Sequence, residues 1–416
     1  MKHDLAVVIG GSIAGMMAAR ALSNHYARVI VVEKDPLTAE EQPRKGVPQG
    51  HHVHLLLASG LETLEHFYPG FIAEMVQDGV QECRFSEDLR WYQAGSWKTR
   101  QPSGFRFYPQ ARVQLEQRIR ARLRQVAGVE IRTATGVQRL LYDAARRAVT
   151  GVRIVQDGAE SDLHADLVVD AAGRGSRTLG WLEELGYAKP PKETQQIDLA
   201  YFSRVYKKSA SARDWQGLAC HPLPNLPRGA VVAPSDTDHW IVTLFGYAGD
   251  FPTTTDEASF LAFAKSLPIP DVYDTLVGAT PVSEVIRYSY PQQTLQRYDQ
   301  VRRFPAGLLV MGDALCSLDP VFGQGMTIAC KEARALDQVL AARTVASDEQ
   351  QLRQKFFRAC QKIIAVPWLI TQSEAMRFPT IPGRRTPIIR VLQWYTDHVF
   401  ALSSHCLLYT SPSPRD

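Results

Sequence analysis

Two glycine-rich stretches, one near each end of the chain, carry the residue types that could bind a phosphate-bearing, redox-active ligand. The first is Gly10-Gly11-Ser12-Ile13-Ala14-Gly15, followed further on by Glu33-Lys34. Glycines let a backbone turn tightly and approach a pyrophosphate. The free N–H groups of the next helix then face its oxygens, and an acid about 20 residues on accepts from the ribose hydroxyls. Ser12 stands where the middle glycine of such a turn belongs; it is small, and its hydroxyl can donate to phosphate. The second stretch holds Gly312-Asp313, Asp319-Pro320 and Gly323-Gln324-Gly325-Met326. Asp313 suits a ribose or ribityl hydroxyl. Pro320, Gly323, Gln324, Gly325 and Met326 follow a loop able to come close to a flat ligand and then open a helix. That helix end offers unpaired N–H groups and about half a positive charge to a ring edge carrying negative charge. The two stretches together describe the two halves of an FAD site.

The elements that must position these residues follow from periodicity. Leu5 to Ile9 is a short apolar run suited to a buried strand, Met16 to Ser23 is helical, and Arg28 to Val32 is a second strand ending on Glu33. Leu308 to Met311 is another buried strand, and Met326, Ala329, Cys330, Ala333, Leu336 and Leu340 mark one helix face. Between the ends, residues 34–47 form a polar loop with Arg44. Pro48-Gln49-Gly50-His51-His52-Val53-His54 leads into a helix from Leu55 to Phe67. Arg84 to Phe107 is an aromatic-rich hairpin turning at Ala94-Gly95-Ser96. A helix with Arg112 in its first turn runs to about Val126. Val129 to Leu141, Val149 to Val155 and Leu163 to Val169 are strands. The last leads into Asp170-Ala171-Ala172-Gly173-Arg174-Gly175-Ser176-Arg177, whose glycines and arginines suit an anion, with Asp170 and Arg177 as candidate residues.

Residues 195–207, 229–232, 239–247 and 285–290 read as strands grouped without alternating helices, which points to an antiparallel sheet. Tyr201, Arg204, Trp240 and Phe245 are candidates to face a ligand there, although core packing explains each of them. Leu352 to Leu369 and Pro387 to Leu402 are amphipathic helices expected to pack on the body as a cap.

The expected fold class is therefore α/β: a Rossmann-like FAD-binding domain with an inserted antiparallel β-sheet substrate domain and a C-terminal helical segment. The FAD-binding domain takes 1–83, 109–187 and 301–345. The substrate domain takes the hairpin 84–108 and then 188–300. The helical cap is 346–405.

Composition narrows the partners. The formal net charge of +4 comes without a basic cluster, so nucleic acid is not expected. Arg118, Arg120, Arg122 and Arg124 alternate on a helix with Glu116 and read as a solvated face. Six scattered cysteines, without C-x-x-C spacing, suit reduced core thiols of a cytoplasmic protein. His51, His52 and His54 have no second ligand cluster, so no metal is expected. The first strand starts too early for a signal peptide, no segment has the length of a membrane span, and residues 406–416 resemble a non-native tail.

Three separated motifs, VVIGGSIAGMMAARAL…VVEKD, ADLVVDAAGRGSR and GLLVMGDALCSLDPVFGQGMTIA, resemble those of the para-hydroxybenzoate hydroxylase-like FAD-dependent monooxygenases. PRKGVPQGHHVH and the ARVQLEQRIRARL helix extend the likeness over residues 4–340. The resemblance implies an oxidoreductase that takes electrons from NAD(P)H and uses O2 through a flavin hydroperoxide to hydroxylate or epoxidise a small hydrophobic substrate. Its PQG-x-H-x-H variant is similar to a polyketide-epoxidase branch, which favours a natural-product substrate. It also implies cofactor contacts for Arg44 and Arg112, and no catalytic side chain is required. The middle motif often reads Asp-Gly in the family; here it reads Asp-Ala-Ala-Gly. Two other readings stand beside this one: an FAD-dependent reductase of the geranylgeranyl-reductase type, and a truncated FAD-binding chain without activity. The Trp-x-Trp-x-Ile-Pro signature of flavin halogenases does not occur in the chain.

Overall fold

The computed structural model describes residues 2–37, 52, 55–208, 213–343 and 349–404. The apolar run His3–Ile9 is the central strand of a five-stranded parallel sheet. Across the sheet the order is Leu308–Val310, Leu167–Asp170, His3–Ile9, Tyr26–Val32, Val129–Arg132. Parallel strands are covered on both faces, which is why these runs are continuously apolar rather than alternating. Helices Ile13–Leu22 and Gln324–Ala341 pack against each other, so the two glycine-rich stretches meet at the carboxyl end of the sheet, with strand Leu167–Asp170 between the strands that lead into them. In open α/β sheets, ligands bind in the crevice at the carboxyl ends of the strands.

A three-stranded antiparallel sheet (Thr135–Asp143, Ala148–Gln156, Ala159–His164) flanks this layer. The predicted strand from Val129 to Leu141 is in fact two. Ala134, with φ +50°, breaks it, the first part joining the parallel sheet and the second this ribbon.

The inserted sheet has nine strands, with Lys192–Lys207 paired to both His239–Gly246 and Ile286–Gln296. It is mostly antiparallel, as predicted. The exception is Gly217–Cys220, a strand without an evident alternating pattern, which pairs parallel to Leu89–Gln93 of the hairpin. One face packs Phe202, Tyr206, Trp240 and Leu244 on helices Glu257–Lys265 and Asp271–Val277. The other face carries Tyr201, Phe245, Tyr288 and Tyr290, with Phe378 and Ile381 against it. Strand alternation therefore divides the four lining candidates. Tyr201 and Phe245 share the second face, while Trp240 lies in the opposite core and Arg204 is engaged with the Ser283 carbonyl and Glu257.

Helix Glu349–Ala375 runs through Pro367 and packs on Gln324–Ala341. Helix Pro387–Leu402 starts where predicted, with Thr386 accepting from the Ile389 N–H. It does not bury its apolar face as a cap should. Only Ile389 and Val399 are buried, while Ile388, Val391, Trp394 and Tyr395 are exposed. The arginine face of Arg112–Arg124 is a second correction. Arg120 is buried and lies 3.8 Å from Glu116, itself buried. Among the described residues no helix is long and apolar enough to cross a membrane.

Candidate functional site

The first turn is built by exclusion of side chains. Gly10 has φ +102°, and a Cβ there would lie 2.6 Å from the Ala171 carbonyl oxygen. A Cβ on Gly15 would sit 1.8 Å from the Gly10 oxygen. The following helix has no side-chain cap, because Ser12 donates instead to Glu116 Oε1 at 2.6 Å. Its N-terminus thus keeps the open, electropositive end that a pyrophosphate requires. Glu33 is buried at the end of its strand. Its Oε2 accepts from Gly11 N–H at 2.7 Å, and its Oε1 from Asp35 N–H at 2.9 Å. Ala14 presses against Gly312, and Lys34 is exposed beyond Glu33.

Arg112 opens its helix beside this turn. Its Nη2 donates to Ser12 Oγ at 3.1 Å and its Nε to Glu116 Oε1 at 3.1 Å. Ser12, Arg112 and Glu116 form one small network under the turn. Glu116 was read only as part of a charged face, yet its i, i+4 spacing from Arg112 is the signal that would have found it.

The late stretch meets the first two. Gly312 turns at φ +64°, and Asp313 beside it is half-buried. A Cβ on Gly173 would lie 3.9 Å from Asp313 Cβ, and one on Gly325 would lie 3.8 Å from its Oδ1. Burial raises the Asp313 pKa above the ordinary carboxylate value, with Arg112 and Arg174 opposing the rise. The Gly312–Asp313 turn thus meets the first motif at Ala14, the middle motif at Gly173 and the late helix at Gly325. Gly323, at φ +63°, leads into Gln324–Ala341 without a side-chain cap, leaving Gln324, Gly325 and Met326 in the first turn. Pro320 begins the short turn before it, held by Asp319, which accepts from the Val321 N–H at 3.0 Å.

Asp170 is fully buried, and its carboxylate accepts from Ala172 N–H at 2.9 Å, from Thr178 Oγ1 at 2.5 Å and from Ser176 Oγ, so that it holds the turn of the middle motif. Arg177 lies over Trp181. The arginine that reaches out of this turn is Arg174, which donates to the Tyr288 hydroxyl at 2.7 Å and lies over the Tyr290 ring at 4.6 Å. Arg44, His51 and His54 lie outside the described residues.

The aromatic face of the large sheet adjoins this region. The Tyr247 hydroxyl donates to buried Asp319 at 2.7 Å, and Tyr290 and Ser317 hydroxyls pair at 2.6 Å. Burial pushes the Asp319 pKa up to about 7, against the hydrogen bonds from Tyr247 and Val321. On the same face His52 Nδ1 is 2.7 Å from Ser203 Oγ, which is 2.5 Å from Thr243 Oγ1, all three buried. The His52 ring meets Tyr201 edge-on and is tilted against Tyr288. Among the described residues, no group of His, Cys, Asp and Glu could hold a metal ion.

These features fit a dinucleotide flavin: a cradle that any Cβ would fill, two helix N-termini without side-chain caps, and acids at the expected ribose and ribityl positions. Comparison with known proteins agrees. A family model described as "FAD binding domain" matches residues 4–364. Protein Rv3254 of Mycobacterium tuberculosis is 33% identical over 383 residues, covering 88% of this chain and 79% of that protein. PqsL of Pseudomonas aeruginosa, described as a probable FAD-dependent monooxygenase, superposes with TM-score 0.66 at 20% identity, over 91% of this chain and 99% of PqsL. The myxobacterial chondrochloren halogenase CndH gives TM-score 0.68 at 19% identity, over 97% of this chain and 91% of that one. At such identities the two structures establish a shared fold.

Proposed function

Since the chain belongs to the FAD-binding-domain family and is an FAD-dependent oxidoreductase, we propose that it is a monooxygenase, using NAD(P)H and O2 to hydroxylate or epoxidise a hydrophobic substrate. The observation that carries this reading is the direct attachment of the sheet's aromatic face to the cofactor motifs. Arg174 ties Tyr288 to the middle motif, and Tyr290–Ser317 and Tyr247–Asp319 tie it to the late loop. A wall of Tyr201, Phe245, Tyr288 and Tyr290 excludes water, which oxygen transfer needs if reducing equivalents are not to be lost as peroxide.

The chemistry supplied with bound FAD is hydride acceptance and oxygen activation. The chain's residues do the holding. Gly10, Gly11 and Gly15 would admit the pyrophosphate, with Arg112 adding positive charge nearby. Glu33 and Asp313 would accept from sugar and ribityl hydroxyls, and the N–H groups of Gln324–Met326 would stabilise negative charge on the ring. In this reading 1–83, 109–187 and 301–345 form the cofactor domain, and 84–108 with 188–300 the substrate domain. Among the described residues, five buried free thiols, Cys83, Cys220, Cys316, Cys330 and Cys360, suit a reducing cytoplasm.

The test is turnover of FAD-loaded protein with a panel of apolar aromatic and alkene substrates. The expected result is one NAD(P)H oxidised per O2 consumed and per oxygenated product. Peroxide as the sole product with every substrate, or undiminished turnover without oxygen, would overturn the reading; the second result would select a reductase.

The Ser203–Thr243–His52 chain is the polar spot on an aromatic wall, suited to the polar head of the substrate. Thr243→Val removes one hydroxyl at nearly constant volume. With a substrate found in the panel, it is expected to raise KM about fivefold, the worth of roughly one hydrogen bond, while flavin content stays unchanged. An unaltered KM would assign the chain to packing alone.

A further inference from the structure

Glu332 lies about two turns into helix Gln324–Ala341 and is fully buried. Its Oε2 accepts from the Gly312 N–H at 2.6 Å, and among the described residues its Oε1 has no partner. The titratable groups facing it are Asp313 from the turn, Cys316 from the strand Cys316–Ser317 and Cys360 from helix Glu349–Ala375. An acid and two thiols offer an ionised carboxylate no compensation. Gly312 is meanwhile pinched from the other side, since a Cβ there would lie 2.7 Å from Ala14 Cβ.

We infer that Glu332 is a positioning residue for the cofactor: accepting from the Gly312 N–H, it clamps the Gly312–Asp313 turn to the late helix, and the negative charge it gains on ionisation opposes the anionic FAD. The inference rests on FAD binding and not on the reaction proposed above. This bond, together with the Leu315 N–H donating to the Gly312 carbonyl at 2.9 Å, fixes the turn that carries Asp313, the residue assigned to the ribityl chain. Burial pushes the Glu332 pKa from its ordinary value of 4.5 up to about 8, with the Gly312 N–H lowering it and Asp313 raising it. The folded chain therefore keeps a proton that the unfolded chain has released, so this group subtracts stability as pH rises from about 4.5 towards 8. Bound FAD adds negative phosphates and removes water. Both disfavour the carboxylate further, so the bound state holds the proton to higher pH and affinity falls as pH rises through about 8.

The experiment is titration of apoprotein with FAD, read by flavin fluorescence from pH 6.5 to 9.5. Wild type is expected to bind severalfold more weakly at pH 9.5 than at pH 7, up to about thirtyfold for a group that titrates near 8. Glu332→Gln keeps an acceptor for Gly312 and cannot ionise; it should bind like wild type at pH 7 and stay flat above it. Glu332→Leu, lacking the acceptor, should be about tenfold weaker already at pH 7. A flat wild-type profile overturns the inference, whether or not the variants fold. So does a glutamine variant that follows the wild-type fall, which would point to Asp313 or Asp319 instead.

Discussion

Replacing Gly15 by alanine is expected to abolish FAD retention. The new Cβ would lie 1.8 Å from the Gly10 carbonyl oxygen, and neither partner has room to retreat. Gly10 is anchored by its own N–H to the Val32 carbonyl at 2.8 Å, and its Cα faces the Ala171 carbonyl across the neighbouring strand. Gly15 belongs to a helix whose following residues, Met16 to Ala19, are wholly buried. Relief must come from lifting the helix off the turn, which costs about 3 kcal/mol or more and removes the N–H groups from the pyrophosphate. The Kd for FAD should rise by about a hundredfold or more, if binding loses a matching free energy, and the purified protein should carry little flavin absorbance. Gly180→Ala is the control. It is helical, a Cβ there meets nothing within 4 Å, and it should leave flavin content unchanged. Normal flavin content in the Gly15 variant would mean that the turn is not the phosphate cradle.

The second large effect is expected at Arg112. Glu116 is buried and accepts through one oxygen from both Ser12 and Arg112. Removing the guanidinium leaves that carboxylate with weaker compensation, since Arg120 stands 3.8 Å away. Breaking a buried pair from one side costs about 3 kcal/mol. Arg112→Ala should therefore lower the melting temperature and, on the proposed cofactor role of this arginine, weaken FAD binding by about tenfold to a hundredfold with a shallower salt dependence. Arg112→Lys keeps the charge but cannot span Ser12 and Glu116 together, so its affinity should fall between the two. If Arg112→Ala lost stability yet bound FAD within about twofold of wild type, the arginine would serve only the Ser12–Glu116 network.

The cofactor side of the molecule was legible because each feature there is local. A Gly-rich turn between strand and helix, an acid ending the next strand and a second Gly-rich loop before a helix all leave short signatures. Gly10 to Gly15, Glu33 and Gly312 to Met326 fall at the carboxyl ends of strands of the one parallel sheet. For Asp170, sequence shows that an acid stands beside a turn, not that its oxygens are engaged by Ser176 and Thr178. Arg174 was legible as a cation but not as a reach across to Tyr288, more than a hundred residues away in sequence. The Ser203–Thr243 pair depends on register between strands. A slip of one residue would put both hydroxyls into the opposite core, and nothing local announces which face looks towards the cofactor. Glu332 is the plainest case. Its helix pattern is amphipathic, and a buried acid there reads as solvated until the Gly312 N–H is found opposite it.

The interleaved order of the parallel sheet also governs how the chain is made. Helix Ile13–Leu22 emerges early from the ribosome, but its cover is helix Gln324–Ala341, and strand Leu167–Asp170 waits for Leu308–Val310. At about 5–20 residues per second, some 300 residues of synthesis separate the two halves by roughly 15–60 s. During that interval Met16, Met17 and Leu22, all destined for full burial, have no native partner on that side. The nascent chain is therefore a client for holding chaperones, and expression at lower temperature with chaperone supply should raise the yield of folded protein.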